Sequence, residues 1–237
     1  MSARKRPARA PARPSLRRRA MRRLRQALAL AVALVLVAVL AFAVIPPPPG
    51  PYMIAEWRRH GSLSRDWRPM AQISPHLARA AVAAEDANFC RHWGFDMDAI
   101  RTALEAGGAR GASTISQQTV KNVYLWHGRS WPRKALEALL TPLVEAVWSK
   151  RRILEVYLNM AEFDAGVFGA EAGAQHYFGV SAADLTARQA ALLAAILPDP
   201  KGRSAANPSS FVRARATAIA DGAATIAADG RDGCFSG

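Results

Sequence analysis

Residues 27 to 45 are nineteen consecutive positions occupied only by Ala, Leu, Val, Phe and Ile. As a helix, at about 1.5 Å per residue, this run spans roughly 28 Å, close to the hydrocarbon thickness of a bilayer. The PPPPG segment at 46 to 50 stops it, because proline lacks the N–H that would continue the ladder. Eleven Lys or Arg and no acid precede it in residues 1 to 26. That asymmetry predicts a single-pass anchor with its N-terminus in the cytoplasm and the rest of the chain outside. The competing reading is a cleaved export signal, with Ala41-Phe42-Ala43 as the cleavage box; the apolar region of a signal is usually only about 7 to 15 residues.

The net charge of +14 resembles that of a nucleic-acid binder, but its distribution argues otherwise. Outside the first 26 residues, 21 basic side chains face 18 acids. The basic arm abuts a membrane span, so no nucleic-acid partner is expected. The expected organisation is a cytoplasmic arm over 1–26, a transmembrane helix over 27–45 and a folded domain over 46–237. Outside the cytoplasm disulfides are permitted. Cys90 and Cys234 are the two cysteines; a bridge would pin the C-terminal tail beside the AEDANFC segment, and two free buried thiols are the competing state. Two cysteines with one nearby histidine do not make a zinc site, so no metal is expected.

Signals for strands are poor and signals for helices are good, so the domain reads as mainly α. Ser74 to Phe89 reads as a helix capped by Ser74, with Pro75 in its first turn. Residues 113–126, Arg133 to Val147 and Lys150 to Met160 read as further helices, with Pro142 expected to kink or split the second of these. Thr186 and Gln189 have capping-box spacing before an apolar helix to Leu197. A last helix is expected from Pro208 to about Ala228. Loops are expected near 107–113, 127–132 and 162–169, the first glycine-rich and mobile.

Three stretches carry chemistry. In AAVAAEDANFCRHWGFD (81–97), Glu85, Phe89 and His92 would share one helix face. Apolar neighbours and the adjacent Asp86 would favour protonation of Glu85, which tunes a carboxylate for general-base work. In GASTISQQTVKN (111–122), Ser113, Gln117 and Lys121 would share a face flanked by Thr114 and Gln118, with Asn122 at the end. Hydroxyl, amide and ammonium groups in such a row suit sugars and phosphates. In RSWPRKALEALL (129–140), Glu137 is paired to Arg133 at i, i+4, and Arg129, Arg133, Lys134 and Glu137 read either as a surface salt-bridge cluster or as a cationic clamp for a pyrophosphate with a carboxylate to position it.

Together these stretches, in this order, resemble the peptidoglycan glycosyltransferases of glycosyltransferase family 51. The family's first motif, EDxxFxxHxGFD, is matched by Glu85, Asp86, Phe89, His92, Gly94, Phe95 and Asp96. The second, GxSTIxQQxxKN, is matched from Gly111 to Asn122, and the third, RKxxE, by Arg133, Lys134 and Glu137. A fourth, ILExYLN, falls on Ile153 to Asn159, and GAEAGAQHYFG (169–179) is similar to the segment that follows it. The resemblance covers roughly residues 55 to 215 and implies a mainly α, lysozyme-like, two-lobed glycosyltransferase domain behind one N-terminal transmembrane helix. No transpeptidase segment follows, so the monofunctional class is expected.

The resemblance further implies polymerisation of lipid II onto a growing glycan, with Glu85 and Glu137 as the catalytic pair, Glu85 as base and Glu137 holding the cationic cluster or a bound ion in place. Ser113, Thr114, Gln117, Gln118, Lys121, Asn122, Arg129, Arg133 and Lys134 would bind substrate. It implies no required cofactor, a divalent cation being left open, and a place in the inner membrane with division or elongation proteins as partners. Trp57, Trp67 and Met70 are candidates to rest on the lipid interface, with the ordinary core as their alternative. A lysozyme-like hydrolase would share the fold, but it has no pyrophosphate for the cations near 121–134 to bind.

Overall fold

A computed structural model describes residues 16–107, 111–128 and 130–236. The chain divides after Ala41 into two units. The first is essentially helix α1 (Leu16–Phe42). It begins well before the apolar run, so the arginines from Arg17 to Arg25 are helical. It ends at Phe42, before Ile45 and the prolines. Its 27 residues measure roughly 40 Å. Leu28, Leu30, Leu34 and Leu40 are exposed along it, as suits a helix whose solvent is lipid. Among the described residues it is the one helix long and apolar enough to cross a membrane, a candidate single-pass anchor.

The second unit is mainly helical. Its elements are α2 (Pro51–His60), β1 (Ser64–Arg65), α3 (Pro75–Glu85), α4 (Met97–Glu105), α5 (Ile115–Tyr124), α6 (Trp131–Val147), α7 (Lys150–Met160), β2 (Glu162–Asp164), β3 (Val167–Phe168), α8 (Ala170–Phe178), α9 (Ala187–Ile196) and α10 (Ser210–Ala228). The three short strands form one sheet in the order β1-β3-β2. β1 runs parallel to β3, with Ser64 opposite Val167, and β2 runs antiparallel to it.

Two helical clusters hold the unit. In one, α3, α9 and α10 pack on one another. Every residue of α9 from Ala190 to Ile196 is buried, as expected of a helix apolar on all sides. Alanines let the helices approach closely: a Cβ placed at Gly222 of α10 would stand 3.3 Å from the Ala83 Cβ of α3. In the other, α5 packs between α6 and α7, and α7 buries Ile153, Leu154, Val156, Tyr157 and Leu158. The polar members of the fourth motif are structural. The Asn159 side chain accepts from Arg68 N and donates to Arg68 O, each at 2.8 Å. Glu155 accepts from Met70 N at 2.9 Å.

The structure amends several expectations. The helix from Ser74 stops at Glu85, because Asp86 leaves helical geometry (φ −161°, ψ 68°) to bond elsewhere; Phe89 and His92 therefore lie in turns and do not share a helix face with Glu85. Ser113 precedes α5, whose cap is Thr114, so the Ser113-Gln117-Lys121 row is not one helix face. α6 starts at Trp131 and continues through Pro142 unbroken. Strands β2 and β3 occupy part of the loop expected at 162–169. Helices α2 and α4 were not anticipated; α4 is started by Asp96, which accepts from Asp98 N and Ala99 N. Met70 is buried and so belongs to the core, whereas Trp57 is 54% exposed. Trp67 lies under the guanidinium groups of Arg65 and Arg152. Of the glycine-rich loop, residues 108–110 lie outside the described residues.

The cysteines are bridged: Cys90 and Cys234 form a disulfide across 144 residues of sequence, with Cα atoms 5.7 Å apart. The alternative of two free thiols is thereby excluded.

Candidate active site

The site begins with the end of α3. Helix α3 is capped by Ser74, whose hydroxyl accepts from His76 N at 3.3 Å, and it delivers Glu85 at its last turn. Asp86 then acts as a brace. Its Oδ2 accepts from Ile115 N at 2.9 Å, at the N-terminus of α5, where backbone donors and the helix dipole favour an anion. Its Oδ1 bonds the His92 ring at 2.8 Å. The pair of acids that looked alike in sequence is divided into a side chain at the cleft and a strut beneath it.

Helix α5 is started by a full capping box. Thr114 Oγ1 accepts from Gln117 N at 3.3 Å, and the Gln117 side chain accepts from Thr114 N at 3.1 Å. Thr114 Oγ1 also donates to Gly94 O at 2.7 Å, and both side chains are buried. These two expected substrate ligands therefore serve the start of the helix. Gly94 is where the first motif needs a glycine. Its φ is +87°, and a Cβ there would stand 2.6 Å from Thr141 Cγ2.

One turn further along α5, Gln118 Nε2 donates to Glu85 Oε2 at 2.9 Å. The other carboxylate oxygen, Oε1, is buried and has no hydrogen-bond partner among the described residues. The nearest cation to it is the Arg215 guanidinium of α10, at 3.9 Å. Glu85, Gln118, Lys121 and Asn122 line a cavity of about 330 Å³. Burial lowers the pKa of Lys121; Glu137 and Glu85 raise it again, and Arg133 and Lys134 oppose them. Lys121 thus stands electrically between the carboxylate at the cleft and the cluster on α6.

That cluster is built on Glu137, which is buried. Arg133 Nη1 donates to its Oε2 at 2.8 Å, and Lys134 Nζ pairs with its Oε1. Lys134 Nζ also donates to Ser113 Oγ at 3.1 Å, drawing that residue to the cationic edge. Arg133 Nε is held by Gly128 O at 2.8 Å. Arg129 lies outside the described residues.

The opposite wall was not read from the sequence. Tyr52, His127 and Lys201 line the same cavity. The Tyr52 and His127 rings stack at 3.4 Å between centroids, 8° from parallel. Tyr52 donates to Glu162 at 2.5 Å; burial and this carboxylate push its hydroxyl up to about 12. Burial, with the charges of Lys121, Arg133 and Lys201, pushes the His127 imidazole down to about 4, so it is neutral near neutral pH. Lys201 Nζ donates to Glu56 at 2.6 Å and lies 3.4 Å from Glu162. These side chains come from α2, the turn after α5, β2 and the turn after α9, so no short motif could reveal them.

A carboxylate with one oxygen held by Gln118 and the other free of hydrogen bonds among the described residues lines one cavity with Lys121, and a carboxylate holds a pair of cations on α6; such groups can take up a proton and neutralise developing negative charge. The comparisons with known proteins agree. Residues 52–224 match the family described as Transglycosylase. A biosynthetic peptidoglycan transglycosylase from Jannaschia sp. (strain CCS1) is 68% identical, across 83% of this chain and 82% of the relative. Relatives with the same description from Pseudomonas fluorescens and Caulobacter vibrioides are 54% and 48% identical; the first match covers 72% of this chain and 75% of the relative, the second 82% and 87%. The chain belongs to the transglycosylase family and is a peptidoglycan glycosyltransferase, an enzyme of cell-wall synthesis.

Proposed function

We propose that the enzyme polymerises lipid II, a disaccharide-pentapeptide carried on undecaprenyl pyrophosphate, with Glu85 as general base. The observation that carries this reading is Glu85, which lines the cavity with Oε2 held by Gln118 and Oε1 accepting no hydrogen bond among the described residues. Oε1 takes the proton of the acceptor 4-hydroxyl as that oxygen attacks the anomeric carbon of the donor glycan. The bond to the α-linked pyrophosphate breaks, and the new linkage is β. A single displacement needs a base and a stabilised leaving group, with no covalent glycosyl-enzyme.

Negative charge grows on the departing pyrophosphate. Lys121, Arg133 and Lys134 neutralise it, and Arg129 is assigned to the same edge on its motif position. Glu137 holds Arg133 and Lys134 in place and does not act as a nucleophile. Gln118, Asn122 and Ser113 orient the donor. Thr114 and Gln117 keep α5 in register, so their contribution is indirect.

We place the N-terminal arm in the cytoplasm and the catalytic unit on the far side of the inner membrane. The arginines ahead of α1 support that orientation, and so does the Cys90–Cys234 bridge, which belongs to an oxidising compartment. The test is the product. Labelled lipid II incubated with the full-length protein in detergent is expected to give a polymer that a β-1,4-muramidase cuts back to disaccharide units. Polymer resistant to that enzyme, or lipid II merely hydrolysed, contradicts the reading.

A further inference from the structure

The C-terminal end of the chain grips the segment that carries Glu85. Beyond α10, residues 229–236 turn back toward α3 and the turns that follow it. Arg79 of α3 donates to Asp232 at 2.7 Å. Arg231 donates to Ala87 O at 3.4 Å. The Phe235 ring, buried, lies 6.3 Å from that of Phe89. Cys234 is bonded to Cys90, five residues after Glu85. From α10 itself, Arg215 reaches Ala84 O at 3.5 Å and Glu85 Oε1 at 3.9 Å. The catalytic turn is therefore held on both sides of Glu85 by one helix and its tail.

We propose that this tail, fastened by the Cys90–Cys234 disulfide, is a positioning element for Glu85, and that polymerisation slows when the bridge is opened. Residues 86–93 form turns without a helical ladder of their own. Asp86 in that segment also sets the start of α5, and α5 carries Gln118 to Glu85. Loosening the turn thus moves the base and its orienting amide together. Both cysteines are partly exposed, so a small dithiol reaches the bridge. Dithiothreitol delivers two electrons and two protons to the sulfur pair; it leaves as its cyclic disulfide, and Cys90 and Cys234 become thiols. Helix α10 also packs directly on α3 and α9.

The proposal rests on Glu85 as base, and the experiment separates the two. Full-length protein is assayed on lipid II before and after dithiothreitol, beside the double variant Cys90→Ala/Cys234→Ala and beside Glu85→Gln. Turnover, KM, the pH profile of kcat and circular dichroism are read for each. Opening the bridge is expected to lower kcat about tenfold, to hold KM within about twofold and to displace the acidic limb of the profile, because small misplacements of a reacting group are costly. A folded, opened protein with a lower Tm but unchanged kcat and pH profile overturns the proposal and makes the bridge a staple only. If the opened protein unfolds, Asp232→Asn with the bridge intact decides: reduced kcat at unchanged Tm supports the clamp, and unchanged kcat overturns it. Wild-type activity in Glu85→Gln defeats the base assignment whatever the bridge does. An inactive Glu85→Gln with an indifferent bridge defeats the clamp alone.

Discussion

Gln118 Nε2 donates to Glu85 Oε2 at 2.9 Å, so one helix fixes the rotamer of a carboxylate delivered by another. The bond leaves the carboxylate one oxygen for chemistry. Gln118→Leu removes the tether without adding charge. The expected result is a kcat lower by about tenfold with KM little changed, because the base is less often in line. Steady-state kinetics on lipid II check this; an increase in KM at constant kcat would assign Gln118 to substrate binding instead.

Gly94 combines a φ of +87° with a wall 2.6 Å from where a Cβ would lie. Gly94→Ala therefore meets both backbone strain and a collision with Thr141. A loss of about 2–3 kcal/mol is expected in urea unfolding. Activity at low temperature should fall as well, because Gly94 O is the acceptor that holds the Thr114 cap.

His127 gives a pH signature. Its folded pKa, about 4, lies below the value near 6.5 of an unfolded histidine. Between those values the unfolded chain binds the extra proton, so this residue makes the protein less stable as pH falls from about 6.5 to about 4. His127→Phe keeps the ring on Tyr52 and removes the titration. The variant is expected to lose less stability than wild type on acidification through that window, and equal slopes would contradict the assignment. Thermal melts across the series measure it.

What the sequence disclosed and what it hid have physical causes. Glu85, Gln118, Lys121, Arg133, Lys134 and Glu137 stand in short segments, and helical spacing alone links Arg133 to Glu137. The caps of α3 and α9 were legible because a cap is a local bond between neighbours, as between Thr186 and Gln189. In the sequence Asp86 reads only as the acid beside Glu85, since its partners, Ile115 N and His92, become neighbours only when the chain folds back. Thr114 and Gln117 were read as ligands because a buried capping box and a polar binding face use the same residue types. The Tyr52–His127–Lys201 wall joins positions up to 149 residues apart and leaves no periodic trace. Strands of two or three residues, such as β3, are too short to show an alternating pattern.

The most direct measurement of the central claim compares wild type with Glu85→Gln in the polymerisation of labelled lipid II. The amide keeps the shape of the carboxylate and cannot take the proton. Glycan from wild type, with at least about a thousandfold less from a folded Glu85→Gln, is the result predicted for a general base on which attack depends. Comparable glycan from both proteins would contradict it and would move the proton to another group in the cleft.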